Sequence, residues 1–524
     1  MKKLLLCTLI AGLMMPVIAQ KKAPSFLKME EVISYENETF DLGLSTREAF
    51  PITPTRTMID IEGWKIMGVS QSYDRQTQQS VYPMTKRHDD GFIGTTWTTD
   101  DNAQFPGSSV PTRGIAYTYS TDGGQTWSEP DNRVGGIPLY WPSYAQWGAN
   151  GEAILGRSAD SYTHQGIQII NGLVLLTREN KGQGAWTITN LPYPAGTSPA
   201  AGYALVWARM TTSGENHQYI HIMSPLSLPT GQTYNGYYIP MLYYRTQNGG
   251  STWDIAGELV PAMVGQQWDV RSNFIDAVSF ADATGDMVAC SFIRTGSHGY
   301  VLRSYNNGTT WESIKFFDTP VDYYTPPSQY ADTCYVPTRG CIALDNDGKI
   351  HVAFSVLMAK NAATDGTMTY FKSYEASFLT YWNEYMPPID GAVEFVYHKI
   401  EPILDDYFDW NYWYGGDLYV KSTIPKMPVI GYFTPTQGDH YFQMDISPFP
   451  PSCYGLGDSF SFPQMTFDRD NTLHLSYLGL LDNGDDDNGN WMHHPFYTVT
   501  NGGGIWGQTK YLIIPPQTIH GKSP

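Results

Sequence analysis

The stretch Ser120-Thr121-Asp122-Gly123-Gly124-Gln125-Thr126-Trp127 returns as Thr246-Gln247-Asn248-Gly249-Gly250-Ser251-Thr252-Trp253, and again as Ser304-Tyr305-Asn306-Asn307-Gly308-Thr309-Thr310-Trp311. Such a segment reads as a hairpin turn. Its Asp or Asn side chain bonds the turn backbone, its glycine takes a positive φ, and its tryptophan packs on the neighbouring strand. A weaker echo runs from Val499 to Trp506, and Asn180 to Trp186 is a degenerate copy with an extra residue.

A second repeat, apolar strand, polar turn, apolar strand, surrounds these turns. It covers Lys86–Trp97, Gln146–Leu155, Val278–Val288, Ile342–Phe354 and Met465–Tyr477, with a poorer copy over Val206–Ile222. Each hairpin is followed by at least one further strand, and the six units predict six four-stranded antiparallel blades. Radial repetition buries sheet faces against each other and leaves only short edges. The expected fold is an all-β, six-bladed β-propeller.

Composition agrees with an exported, strand-rich chain. Fifty glycines and 35 prolines in 524 residues leave little room for long helices or coiled coils. The formal charge of −19 repels polynucleotides and anionic lipid surfaces, so no nucleic-acid partner is expected. Lys2 and Lys3 precede an apolar run from Leu4 to Ala19, which reads as a secretory signal peptide. No later run approaches the ~20 residues needed to span a bilayer, so a soluble product, secreted or at the cell surface, is expected. The expected organisation is a leader over 1–19, an N-terminal arm over 20–57, the propeller over 58–514 with an insertion at about 387–454, and a tail over 515–524. A monomer is expected. No phosphate loop, His-Glu-x-x-His zinc helix or nucleophile elbow is present, which removes nucleotide-dependent and zinc-protease chemistry.

The Ser-x-Asp-x-Gly-x-Thr-Trp pattern resembles the Asp-box, or BNR repeat, of sialidase-type β-propellers. With Tyr73–Thr77, Asp90-Gly91, Thr96-Trp97 and Arg113-Gly114, the chain also resembles secreted propeller proteins of Gram-negative bacteria of unassigned function. The likeness spans roughly residues 58 to 514 and implies a fold more than an activity, because Asp-boxes occur in hydrolases, lyases and binding proteins alike. It implies that Asp122, Trp127, Asn248, Trp253, Asn306 and Trp311 are scaffold on one face, and that ligands meet the opposite face.

On that opposite face the resemblance places Asp101 and Arg113 from blade one, Arg157, Asp160, Tyr162 and His164 from blade two, Arg271 before blade four and Arg339 before blade five. A sialidase grips its substrate carboxylate with three arginines, because bidentate guanidinium groups match a planar carboxylate, and pairs a tyrosine nucleophile with a carboxylate. Arg271, Arg339 and Tyr454 fall in the chain order of the later members, and Asp101 is the candidate acid. The opening arginine is missing, since the matching stretch reads Val81-Tyr82-Pro83-Met84-Thr85-Lys86. The function expected is therefore binding of an extracellular glycan or protein through Arg113, Arg271, Arg339, Trp410 and Trp413, with an exo-acting glycoside hydrolase as the alternative. The alternative role for each arginine is an ion pair between blades.

No cofactor is required. Asp482, Asp485 and Asp487 offer hard oxygen ligands for calcium but lack the EF-hand register, so a solvated acidic turn is the competing reading. Outside the leader, which holds Cys7, Cys334 and Cys453 each lie in a link leading into a blade and are expected to pair. A bond between Cys334 and Cys341 is the alternative, and Cys290 and Cys341 sit in apolar strands as buried thiols.

Overall fold

The computed structural model describes residues 31–34, 83–100, 113–237, 239–260, 277–293, 298–319, 332–361, 368–371, 377–400, 412–414, 417–425, 429–431, 460–485, 491–500 and 510–511. Strand is the dominant regular structure of these residues, and helix is confined among them to the single 3-10 turns Val134–Gly136 and Pro199–Ala201.

Six sheets follow one another along the chain, antiparallel except where Ile389–Asp390 runs parallel to Glu312–Asp318 in the fourth. The second illustrates them, with Tyr140–Trp147, Gly151–Ser158, Gly172–Arg178 and Thr187–Asn190 joined in sequence order. The others start at Thr85–Arg87, Ala204–Leu205 with Arg209–Ser213, Val278–Phe280, Asp332–Leu344 and Phe460–Phe467. The structure departs from the expected six by a seventh sheet, in which Val393–Ile400 and Tyr412–Tyr414 flank Asp417–Pro425. It belongs to the insertion, whose far end, Val429–Gly431, pairs with Ser377–Asn383 as an outer strand of the fifth sheet. Glu31–Ser34 pairs with Met368–Phe371 of that same sheet. A small two-stranded hairpin, Tyr162–His164 with Ile167–Ile169, stands beside the second sheet. Among the described residues no strand pairing joins the sixth sheet to the first.

Strand periodicity explains how the sheets stack. Successive side chains of a strand point to opposite faces, and here both faces are apolar. Leu173 and Leu175 pack with Leu205, Ile220, Ile222 and Leu242 of the third sheet, while Val174 and Leu176 pack with Ile115 and Tyr117 of the first. Cys290 and Leu302 join Met223 and Tyr243 of the third sheet, while Ala289 and Val301 join Ile342, Val352 and Phe354 of the fifth. A fully buried side chain of this kind contributes about 1.5–3 kcal/mol.

Polar contacts register one sheet on the next. Tyr144 N donates to Pro83 O at 2.7 Å, Met210 N to Ser143 Oγ at 3.0 Å, and Thr212 Oγ1 to Gln146 O at 2.8 Å. Lys86 Nζ lies 2.5 Å from Asp282 Oδ1, linking the first sheet to the fourth, and His217 Nε2 lies 3.0 Å from Asp89 Oδ2, linking the third to the first. Sheets distant in sequence therefore meet through the turns Asp89, His217 and Asp282 occupy.

The three repeated turns share one hydrogen-bond pattern. Asp122 Oδ1 accepts from Thr126 N at 2.9 Å, as Asn248 Oδ1 does from Thr252 N and Asn306 Oδ1 from Thr310 N, both at 2.9 Å. Ser120 Oγ, Thr246 Oγ1 and Ser304 Oγ accept from the backbone N–H of Gly124, Gly250 and Gly308. Trp127 and Trp311 donate their indole N–H to Gly124 O and Gly308 O. The turns also fasten neighbouring sheets: Ser213 Oγ donates to Asn307 Oδ1 at 2.7 Å, and the Trp311 ring meets Tyr243 edge-on at 5.5 Å.

Cys290 and Cys341 are buried free thiols, so the short Cys334–Cys341 bond is not formed. Cys453, the partner expected for the buried Cys334, lies outside the described residues.

Two glycines test the stapling role. Gly123 and Gly308 both have φ +73°, but a Cβ at Gly308 would lie 1.9 Å from Tyr243 Oη, whereas nothing lies within 4 Å at Gly123. Gly123→Ala is expected to cost about 1 kcal/mol for the backbone alone, and Gly308→Ala about 2–4 kcal/mol once overpacking is added. Urea denaturation of both variants checks this; equal losses would show that the turn does not press on the adjoining sheet.

A second test uses pH. Burial holds the His221 imidazole down at about 3 and His88 at about 4, from an ordinary 6.5. His221 bonds Ser213 Oγ at 2.6 Å and Tyr243 Oη at 2.7 Å, and His88 bonds Tyr144 Oη at 2.8 Å. Because the folded values are depressed, the unfolded chain binds protons first as the pH falls. Stability is complete above about 6.5 and declines below it, by about 1.4 kcal/mol per pH unit for each histidine. The urea midpoint should drop steadily from pH 6.5 to 4.5, above the main carboxylate range; a flat midpoint over that window would contradict neutral burial.

Candidate functional site

Arg113, Tyr140 and Arg157 all sit at strand ends remote from the repeated turns. Arg113 opens Arg113–Ser120, Tyr140 opens Tyr140–Trp147, and Arg157 stands opposite Tyr140 near the end of Gly151–Ser158. Two guanidinium groups thus approach one ring: Arg113 Cζ is 5.2 Å and Arg157 Cζ 5.6 Å from the Tyr140 centroid. Arg157 also lies 5.8 Å from the Trp141 centroid.

The aromatic floor continues into the third sheet. Trp141 and Trp207 stack at 5.5 Å with 21° between their planes, and Tyr140 meets Trp141 edge-on at 4.8 Å. Beside Trp207, the Arg209 guanidinium is 1 % exposed and donates to Trp207 O and Ala208 O.

The backbone under these rings is strained. Trp141 has φ +56° and Trp207 φ +43°, a left-handed conformation that bulky side chains rarely adopt. Each costs of order 1–3 kcal/mol, and such outliers gather at ligand sites. Their origin is a break in strand register: pairing skips between Tyr140 and Ser143, and the third sheet's inner strand stops at Leu205 and resumes at Arg209. Phe462, φ +53°, repeats this between Ser461 and Gln464 of the sixth sheet.

Arg157 has an unusual environment. It is 7 % exposed, its Nε is buried without an acceptor, and it makes no hydrogen bond or ion pair with a described residue. A buried guanidinium held only by ring faces is costly, because cation–π attraction of about 1–2 kcal/mol does not replace the lost hydration. An anion placed beside it would recover charge-assisted hydrogen bonds.

The structure brings together part of the expected set. Arg113 is at the arginine–aromatic cluster. Arg339, 4 % exposed, has its Cζ 5.0 Å from the Phe462 ring, between the fifth and sixth sheets. Asp101, Arg271, Tyr454, Trp410 and Asp487 lie outside the described residues. Trp413 is in the seventh sheet, and Asp482 and Asp485 fall within the strand Leu473–Asp485, where a loop was expected. Among the described residues no three His, Cys, Asp or Glu side chains gather as metal ligands. Lys86, which ends the stretch where a sialidase's opening arginine would fall, is the ion-pair partner of Asp282. Tyr140, Trp141, Trp207 and Arg209 were not anticipated; the only local signal was Tyr140-Trp141-Pro142 at the start of an inner strand.

No protein-family model matches the chain, and none of the curated proteins does. Among solved structures, the chain is similar to a mutant NanB sialidase from Streptococcus pneumoniae, at 13 % identity over 78 % of this chain and 67 % of that one, with a TM-score of 0.34. It is similar to a Dyadobacter fermentans protein of unknown function, at 12 % identity over 82 % and 96 %, with a TM-score of 0.35. It is also similar to an ulvan lyase, at 10 % identity over 82 % and 84 %, with a TM-score of 0.41.

Proposed function

We propose that this chain is an exported β-propeller whose six successive sheets form the ring, and that the face opposite its Asp-box turns binds an acidic glycan. Arg157 and Arg113 hold a carboxylate or sulfate, and the Trp141–Trp207 floor carries the sugar ring. The observation that carries the reading is the buried Arg157 guanidinium, which has ring faces beside it and no described anion. In a chain of formal charge −19 such a pocket favours an anionic ligand only by close contact, so the partner must present its charge on a compact group. The Lys86–Asp282 ion pair, which joins first and fourth sheets, supports a radial arrangement.

The test is calorimetric titration with oligogalacturonate, a sulfated chondroitin oligosaccharide, sialyllactose and neutral oligosaccharides. At least one acidic ligand should bind, weakening with added salt, and Arg157→Met should lower that affinity about 10-fold or more through loss of a charge-assisted contact. Equal binding by Arg157→Met, with the fold intact by circular dichroism, would return Arg157 to a scaffold role. With Lys86 engaged elsewhere, release of free sialic acid from sialyllactose is not expected.

A further inference from the structure

Two tyrosines stand out on the opposite face, where the repeated turns lie. Tyr305 is 60 % and Tyr385 71 % exposed; the next most exposed large hydrophobic side chain among the described residues is Ile167 at 37 %. Neither ring is demanded by its turn. The positions matching Tyr305 in the other repeats hold Thr121 and Gln247, and Tyr385 enters its turn through its backbone N–H, which donates to Asn383 Oδ1 at 3.1 Å.

Both rings rest on cations. Arg303 Cζ is 4.8 Å from the Tyr305 centroid and Lys349 Nζ is 5.7 Å from that of Tyr385. One carboxylate fixes both cations: Glu384 lies 2.8 Å from Arg303 Nη1 and 3.2 Å from Lys349 Nζ, and is itself held by Ile350 N at 3.0 Å. Glu312 adds a second contact to Arg303 at 2.6 Å. The rings are thus ordered before any ligand arrives, which lowers the entropic cost of binding.

We infer that Tyr305 and Tyr385 form a second saccharide platform, separate from the arginine site, for a neutral, hydroxyl-rich glycan chain. A sugar's C–H face stacks on a ring while its hydroxyls reach the charged groups around it. Glu312, Glu384, Arg303 and Lys349 surround the rings in place of the continuous apolar area that the core of a protein interface requires. The two carboxylates neutralise the two cations, so no net charge is left to hold an acidic polymer here, and the two faces select glycans of different charge.

Affinity electrophoresis of the full chain in gels containing galactomannan, hydroxyethylcellulose or polygalacturonate tests this. At least one neutral polymer should retard the protein. Tyr305→Ala and Tyr385→Ala should each weaken that retardation about 5-fold or more, in the range of a lost aromatic contact, and the double variant should abolish it. Tyr305→Phe and Tyr385→Phe should keep it, and polygalacturonate behaviour should not change in any of these variants. The inference is overturned if no neutral polymer retards the chain, which would leave the rings to a protein contact, or if the alanine variants migrate as the parent does. Loss of polygalacturonate retardation in parallel would also overturn it, by showing that the faces are not independent. Failure of the arginine-site reading leaves the neutral arm interpretable.

Discussion

Burial of the second and fourth sheets on both faces is the constraint from which the rest follows. A strand such as Gly172–Arg178 sends Leu173 and Leu175 one way and Val174 and Leu176 the other, so neither face can be left to water. The second sheet thus lies between the first and third, and the fourth between the third and fifth. The interior between them is then a series of apolar layers.

Layering of that kind makes any polar group between sheets expensive unless it is bonded. Glu152 shows the solution. Its carboxylate is fully buried, accepts from Tyr117, Tyr144 and Gly182 N, and meets Arg178 Nε at 2.6 Å, so one acid ties together strands of the first and second sheets. Imidazoles do the same elsewhere: His221 with Tyr243, His351 with Tyr381 and His474 with Tyr497 occupy corresponding diagonal pairs in the third, fifth and sixth sheets. Arg157 differs from these groups: its guanidinium is buried against ring faces and bonds no described acceptor, which is why it points to a ligand.

The two faces differ for a topological reason. On one, the repeated turns are consumed by internal hydrogen bonds and by contacts to the adjoining sheet, leaving side chains such as Tyr305 free to vary. On the other, inner strands begin with broken register, and the breaks lift Trp141 and Trp207 into left-handed backbone beside Arg113 and Arg157.

The sequence by itself determined the repeated turns and the succession of strands around them. These depend on interactions within a few residues: Asp122 with Thr126, Ser120 with Gly124, and the alternation of apolar side chains. The acidic charge was equally plain. Only the tertiary structure decided the seventh sheet, the return of Val429–Gly431 to the fifth, the stacking of Trp141 on Trp207 and the isolation of Arg157. Each of these arises where residues far apart in the chain compete for the same space. A register shift, or a guanidinium without an acceptor, is a property of the neighbours that packing brings, which no local pattern encodes.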